Sequence, residues 1–157
     1  MTKGVKMLLL LFFLNSCETT PKKIATKEIT FTKEAEILIF NTKKDIIAHL
    51  DIELATTDYE RQTGMMYRKE MDPNQGMYFI FPSAQPRSFY MKNTLISLDI
   101  LFIDEDNTVF KIVKEAPAKS QENINSITPA KYVLELLGGQ ADALEIEKGA
   151  QIKLIEK

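Results

Sequence analysis

Ile46-Ile47-Ala48-His49-Leu50-Asp51-Ile52-Glu53-Leu54-Ala55-Thr56 is the stretch whose pattern decides the fold. Ile46, Ala48, Leu50, Ile52 and Leu54 recur at period two, with His49, Asp51 and Glu53 between them. Side chains alternate faces along an extended chain, so this is a strand with one face to bury. Working outward, Ile37 to Phe40 is a second apolar run that ends at the polar cluster Asn41 to Lys44. Downstream, Thr57-Asp58-Tyr59-Glu60 has the form of a capping box, and Gly64 suits the end of a short helix. Met77 to Phe81 reads as a strand stopped by Pro82, and Ser88 to Lys92 as another. Leu98–Ile103 and Thr108–Val113 flank Asp104 to Asn107 as a β-hairpin. Ala116 to Pro129 reads as a loop, Tyr132 to Leu137 as a strand ended by Gly138-Gly139, Ala141 to Leu144 as one helical turn, and Gln151 to Ile155 as the last strand. The expected fold is mainly β: a compact jelly-roll-like sandwich or barrel-like roll with one or two short helices.

At 157 residues and 45% hydrophobic content, the chain suits one domain with a real core. Twenty basic against 22 acidic side chains argue against a nucleic-acid binder. Cys17 is the single cysteine, so no internal disulfide and no multi-cysteine metal site can form. It follows Lys3, Lys6 and the run Met7 to Leu14, which is far short of the roughly 20 apolar residues of a membrane span. That order suits a signal peptide, and Leu14-Asn15-Ser16-Cys17 resembles a bacterial lipobox. The expected organisation is a signal peptide over 1–16, a lipidated Cys17 with a polar tether over 17–33, and one β-rich domain over 34–157. The protein is then exported and held on a bacterial membrane by its lipid, on the periplasmic or cell-surface side.

Five distinct segments stand out: Gly64 to Arg68, Gly76 to Pro82, Ser88 to Thr94, Leu98 to Asp104, and Lys131 to Leu136 before the glycine pair. In order and spacing they resemble the bacterial and archaeal domain of unknown function 192 family, from about Ile46 to the C-terminus. Met65 and Tyr90 stand where that family often has leucine and tryptophan. The resemblance implies a compact, mainly β, jelly-roll-like domain, often exported, and no established activity.

Asp99 interrupts an apolar strand, and Glu135 does the same between Val133 and Leu137. A carboxylate there is exposed, paired, or shifted in pKa. Two such groups in one pocket would suit a glycoside-cleaving acid pair or a divalent cation. Arg68 and Lys92 form a second pair, either in ion pairs (with Asp99, for example) or, with Asn93, as an anion-binding corner. Met65, Met66, Met71, Met77 and Met91 lie among Tyr67, Tyr78, Phe79, Phe89 and Tyr90. They read as core filler, as the lining of an apolar groove, or more remotely as thioether ligands for Cu(I). His49 reads as a surface side chain, and no glycine-rich phosphate loop is present.

These features favour a non-catalytic binding or accessory module for a small molecule, a glycan or an envelope partner. Its expected face is Arg68, Tyr90, Lys92, Asn93, Asp99 and Glu135, with no cofactor and no metal. The alternatives are a carboxylate hydrolase of envelope glycans working through Asp99 and Glu135, and a structural envelope protein without a ligand site.

Overall fold

The computed structural model describes residues 29–156. The signal segment, Cys17 and most of the tether lie outside the described residues. Strands β1 (Ala35–Phe40), β2 (Ile46–Ala55), β3 (Gln75–Gln85), β5 (Leu98–Ile103), β6 (Val109–Ala116), β8 (Ala130–Leu137) and β9 (Gln151–Glu156) form one sheet, ordered β6-β5-β8-β3-β2-β1-β9. Only the β2–β3 pair is parallel, and helix α1 (Asp58–Thr63) lies in the connection between them. Strands β4 (Ser88–Phe89) and β7 (Ile124–Asn125) pair separately, and α2 (Gln140–Ala143) precedes β9. The expectation of a mainly β, sandwich-like domain is met. The sheet does not close into a barrel, although its edges touch where Thr108 bridges Gln151.

Each face of the sheet buries its own apolar set. The first includes Ile37, Ile39, Leu50, Ile52, Tyr78, Leu101, Ile103, Val109, Leu134 and Ile152, drawn from all seven strands, and the sheet curls round it. The second sits on the opposite face and gathers Met65, Met71, Met77, Phe79, Met91, Ile100, Phe102 and Val133. Phe89 joins it edge-on to Phe79 at 5.2 Å and to Phe102 at 5.9 Å between ring centroids. Burying one such aromatic or branched side chain contributes roughly 1.5–3 kcal/mol. The methionine cluster is thus mainly core, fitted around these rings as a flexible thioether can be.

Local chemistry accounts for the boundaries. Thr57 Oγ1 accepts from the Glu60 amide at 3.2 Å, and Glu60 Oε2 accepts from the Thr57 amide at 2.8 Å, so the expected capping box starts α1. Gly64 ends it with φ +46°, a conformation that disfavours side-chain-bearing residues. In the hairpin turn, Asp104 Oδ1 accepts from the amides of Asp106 and Thr108. Gly138 is needed for closeness: a Cβ there would lie 2.3 Å from Ser97 Oγ and 3.2 Å from the Ser97 carbonyl carbon.

Two expectations are corrected. Pro82 does not stop β3, which runs on to Gln85, because the ladder to β8 is interrupted between Ile80 and Gln85. A residue without an N–H costs nothing where no ladder bond is called for. The stretch read as a loop, Ala116 to Pro129, contains the last residue of β6 and all of β7, whose two residues pair with β4. Two-residue strands are too short for a periodic signal.

Candidate functional site

A cleft of about 440 Å³ opens beside α1, between β3, β4 and β8. Its buried end is made by Met65, Phe79, Thr94 and Glu135, and its outer end by Asp58, Gln62, Pro82, Pro86, Ser88 and Tyr90. Met66, Phe81 and Phe89 form apolar wall between them. The capping box and Gly64 aim the cleft's α1 side. A Cβ on Gly64 would come within 3.1 Å of Phe79 and 3.7 Å of Glu135 Oε2, so glycine there also keeps room above the carboxyl.

Glu135 is the unusual group. It stands on β8 between Val133 and Leu137, so strand alternation points it into the second apolar cluster. It is only 6% exposed, and its Oε2 is buried without a hydrogen-bond partner. Burial pushes its carboxyl up to about 8, against the opposing pull of the Arg68 charge. A buried carboxyl that keeps its proton near neutrality can donate a hydrogen bond as well as accept one.

Two guanidinium groups line the cleft beside Phe81. Arg87 lies 3.9 Å from the ring centroid and Arg61 5.6 Å from it. Arg61 is held by Asp58 at 2.6 Å and by the carbonyls of Thr56 and Ile80. Arg87 bonds the carbonyls of Ser83 and Ala130 and has no carboxylate partner among the described residues. Burial first, and then the neighbouring Arg61 charge, lower the Arg87 pKa.

Among the six residues proposed from sequence as one face, only Tyr90 and Glu135 line this cleft. Arg68 is paired at 2.7 Å with Glu53, both nearly buried, and the other Glu53 oxygen takes the Thr32 amide at 2.8 Å. The partner suggested for Arg68, Asp99, is therefore replaced by Glu53, which the alternation of β2 had placed on a polar face. Lys92 is exposed and does not line the cleft. Asn93 adopts φ +62° and ties two loops together, its Nδ2 donating to Tyr67 Oη and its carbonyl accepting from the Tyr67 amide, both at 2.9 Å. The anion-binding corner of Arg68, Lys92 and Asn93 is thus not assembled.

Asp99 belongs to the opposite side of the sheet. It pairs in register with Leu136, one residue from Glu135, so the two carboxyls point to opposite faces. Asp99 is fully buried and accepts two backbone amides at 2.7 Å, from Glu115 and Ala141. The acid pair of the hydrolase alternative has the sheet between its members. His49 bonds Glu36 at 2.6 Å on the exposed side of β1 and β2, where Lys33 bridges Glu36 and Asp51. Among the described residues, no three His, Cys, Asp or Glu side chains gather as a metal site. Sequence reading missed Arg61 and Arg87 as cleft residues, although they are two of only three arginines in the chain. That scarcity, with Arg87 abutting a motif segment, was the usable signal.

Comparison with known proteins adds the family. No curated protein matches the sequence. A crystal structure of a candidate transcription regulator from Sinorhizobium meliloti 1021 is similar at 34% identity and TM-score 0.76, covering 82% of this chain and 98% of that one. A protein of unknown function from Novosphingobium aromaticivorans DSM 12444 is similar at 30% identity and TM-score 0.71, covering 75% and 83%. The family model described as "Uncharacterized ACR" matches residues 39–154, the range that holds every strand around the cleft. The chain belongs to the DUF192 family.

Proposed function

We propose that this protein is a binding module whose cleft beside α1 takes a small amphipathic molecule, carried on a chain that is exported and lipid-anchored through Cys17. The observation that carries the binding reading is the Glu135 carboxyl, unpartnered at the buried end of a cleft walled by aromatic rings and methionines. A buried polar atom without a partner costs stability, about 1–3 kcal/mol for a neutral group. Such a cost at the end of an open cleft is understandable where a ligand supplies the missing bond. A mostly apolar pocket with a few fixed polar groups is also the usual form of a small-molecule site. The hydrolase reading loses its support with the placement of Asp99.

Ligand-observed NMR with a fragment mixture tests the binding reading. Fragments should bind the wild-type protein and lose at least tenfold in affinity when the exposed Ser88 at the mouth is replaced, Ser88→Trp. Fragments that bind both proteins equally, or none at all, would refute it. Anchoring is tested separately by radiolabelled palmitate in a bacterial host. The wild-type protein should take up label and fractionate with membranes, and Cys17→Ala should do neither.

A further inference from the structure

The arrangement of charge around Glu135 narrows the ligand class, provided that the cleft is a binding site as proposed above. We propose that the cleft selects uncharged molecules ending in a carbonyl oxygen, such as amides or esters, which accept an O–H bond from Glu135, and that it rejects the corresponding amines.

The alternative partner for the unbonded Glu135 oxygen is an ammonium group, and three features oppose it in addition to the Arg68 charge that already acts on the carboxyl. Arg61 and Arg87 stand on the approach, and the carboxylate beside them, Asp58, is already bonded to Arg61. Arg87 therefore leaves the entrance with uncompensated positive charge. Inside, an ammonium–carboxylate pair would have to form among Met65, Phe79 and Thr94, with both charges stripped of water. That desolvation penalty can exceed the attraction it gains. Finally, the buried carboxyl holds its proton into the neutral range, so it offers a donor rather than a negative charge. A carbonyl oxygen needs only that donor, carries no charge past the guanidiniums, and leaves an apolar body to lie along Met66 and Phe89.

The matched probes 3-phenylpropanamide and 3-phenylpropan-1-amine differ only at the tip. Titrated at pH 6.5 by NMR, the amide should bind at least tenfold more tightly than the amine and shift resonances of cleft residues. Glu135→Gln, whose side-chain NH₂ also donates, should hold the amide within about threefold of wild type. Glu135→Leu, which suits an apolar surround and has no donor, should weaken amide binding at least tenfold, leaving only the preference that the guanidiniums and the apolar lining supply. Tighter binding of the amine, or an amide affinity indifferent to Glu135→Leu, overturns the selection rule while leaving the cleft a ligand site. If neither probe binds and the fragment mixture also ignores Ser88→Trp, both readings fall together.

Discussion

Asp99→Ala is expected to destabilise the domain by about 3–5 kcal/mol, the largest loss of stability expected from any substitution considered. The reason lies in what the two carboxylate oxygens hold. Between β5 and β6 the register slips: Leu98 faces Ala116 and Ile100 faces Val113, so two residues of β6 oppose Asp99 alone. This is a β-bulge, which leaves an amide without a ladder partner. Asp99 Oδ1 takes that amide, the N–H of Glu115, whose φ is +49°. Oδ2 takes the N–H of Ala141 in the first turn of α2, a helix whose N-cap, Gly139, provides no side-chain bond. Helix starts carry unsatisfied N–H groups and a partial positive charge, so a carboxylate is well suited there. Alanine would strand both donors, at about 1–3 kcal/mol each, and leave a small void. Asp99→Asn retains one good acceptor and should recover about half the loss. Urea unfolding followed by circular dichroism measures both; a loss under about 1 kcal/mol for alanine would show that the bulge and helix do not depend on this carboxylate.

Glu135→Gln is expected to stabilise the protein, by an amount that depends on pH. The carboxyl is raised from its ordinary value of 4.5 to about 8 in the folded chain. Below pH 4.5 it is protonated in both folded and unfolded states, and stability does not respond to pH through this group. Between about 4.5 and 8 the folded state keeps a proton that the unfolded state has released. Stability then falls as pH rises, by up to roughly 1.4 kcal/mol per unit. Above about 8 the folded state must carry a buried carboxylate, and the loss is complete. Glutamine is neutral throughout, so the variant should match wild type near pH 4.5 and exceed it by on the order of 3–5 kcal/mol at pH 8. Unfolding midpoints at about pH 4.5, 6 and 8 test the trend. A constant offset across that range would show that Glu135 titrates normally.

Much of the architecture was legible because it rests on local pattern. Alternation gave β2, the Thr57–Glu60 box gave α1, and the family-like segments gave the class of fold. The site was less so, because its parts are joined by register rather than by sequence. Asp99 and Glu135 looked equivalent as polar breaks in apolar strands, yet one residue of register sends them to opposite faces. The partners that explain Asp99 lie 16 and 42 positions away. Glu53 looked solvent-facing by alternation, but the loop after α1 brings Arg68 over it. Arg87 reaches the cleft because the chain bends back after β3 and lays its guanidinium on Phe81. Pairwise encounters of this kind leave no periodic trace.

The bridge from Thr108 to Gln151 bears on the order in which the chain can mature. β9, the last element synthesised among the described residues, pairs along all of β1, and the residues leading into it bond Val109 at the start of β6. Until these residues leave the ribosome, β1 has an open edge and the first apolar cluster lacks Ala150 and Ile152. An emerging chain therefore cannot complete this domain early.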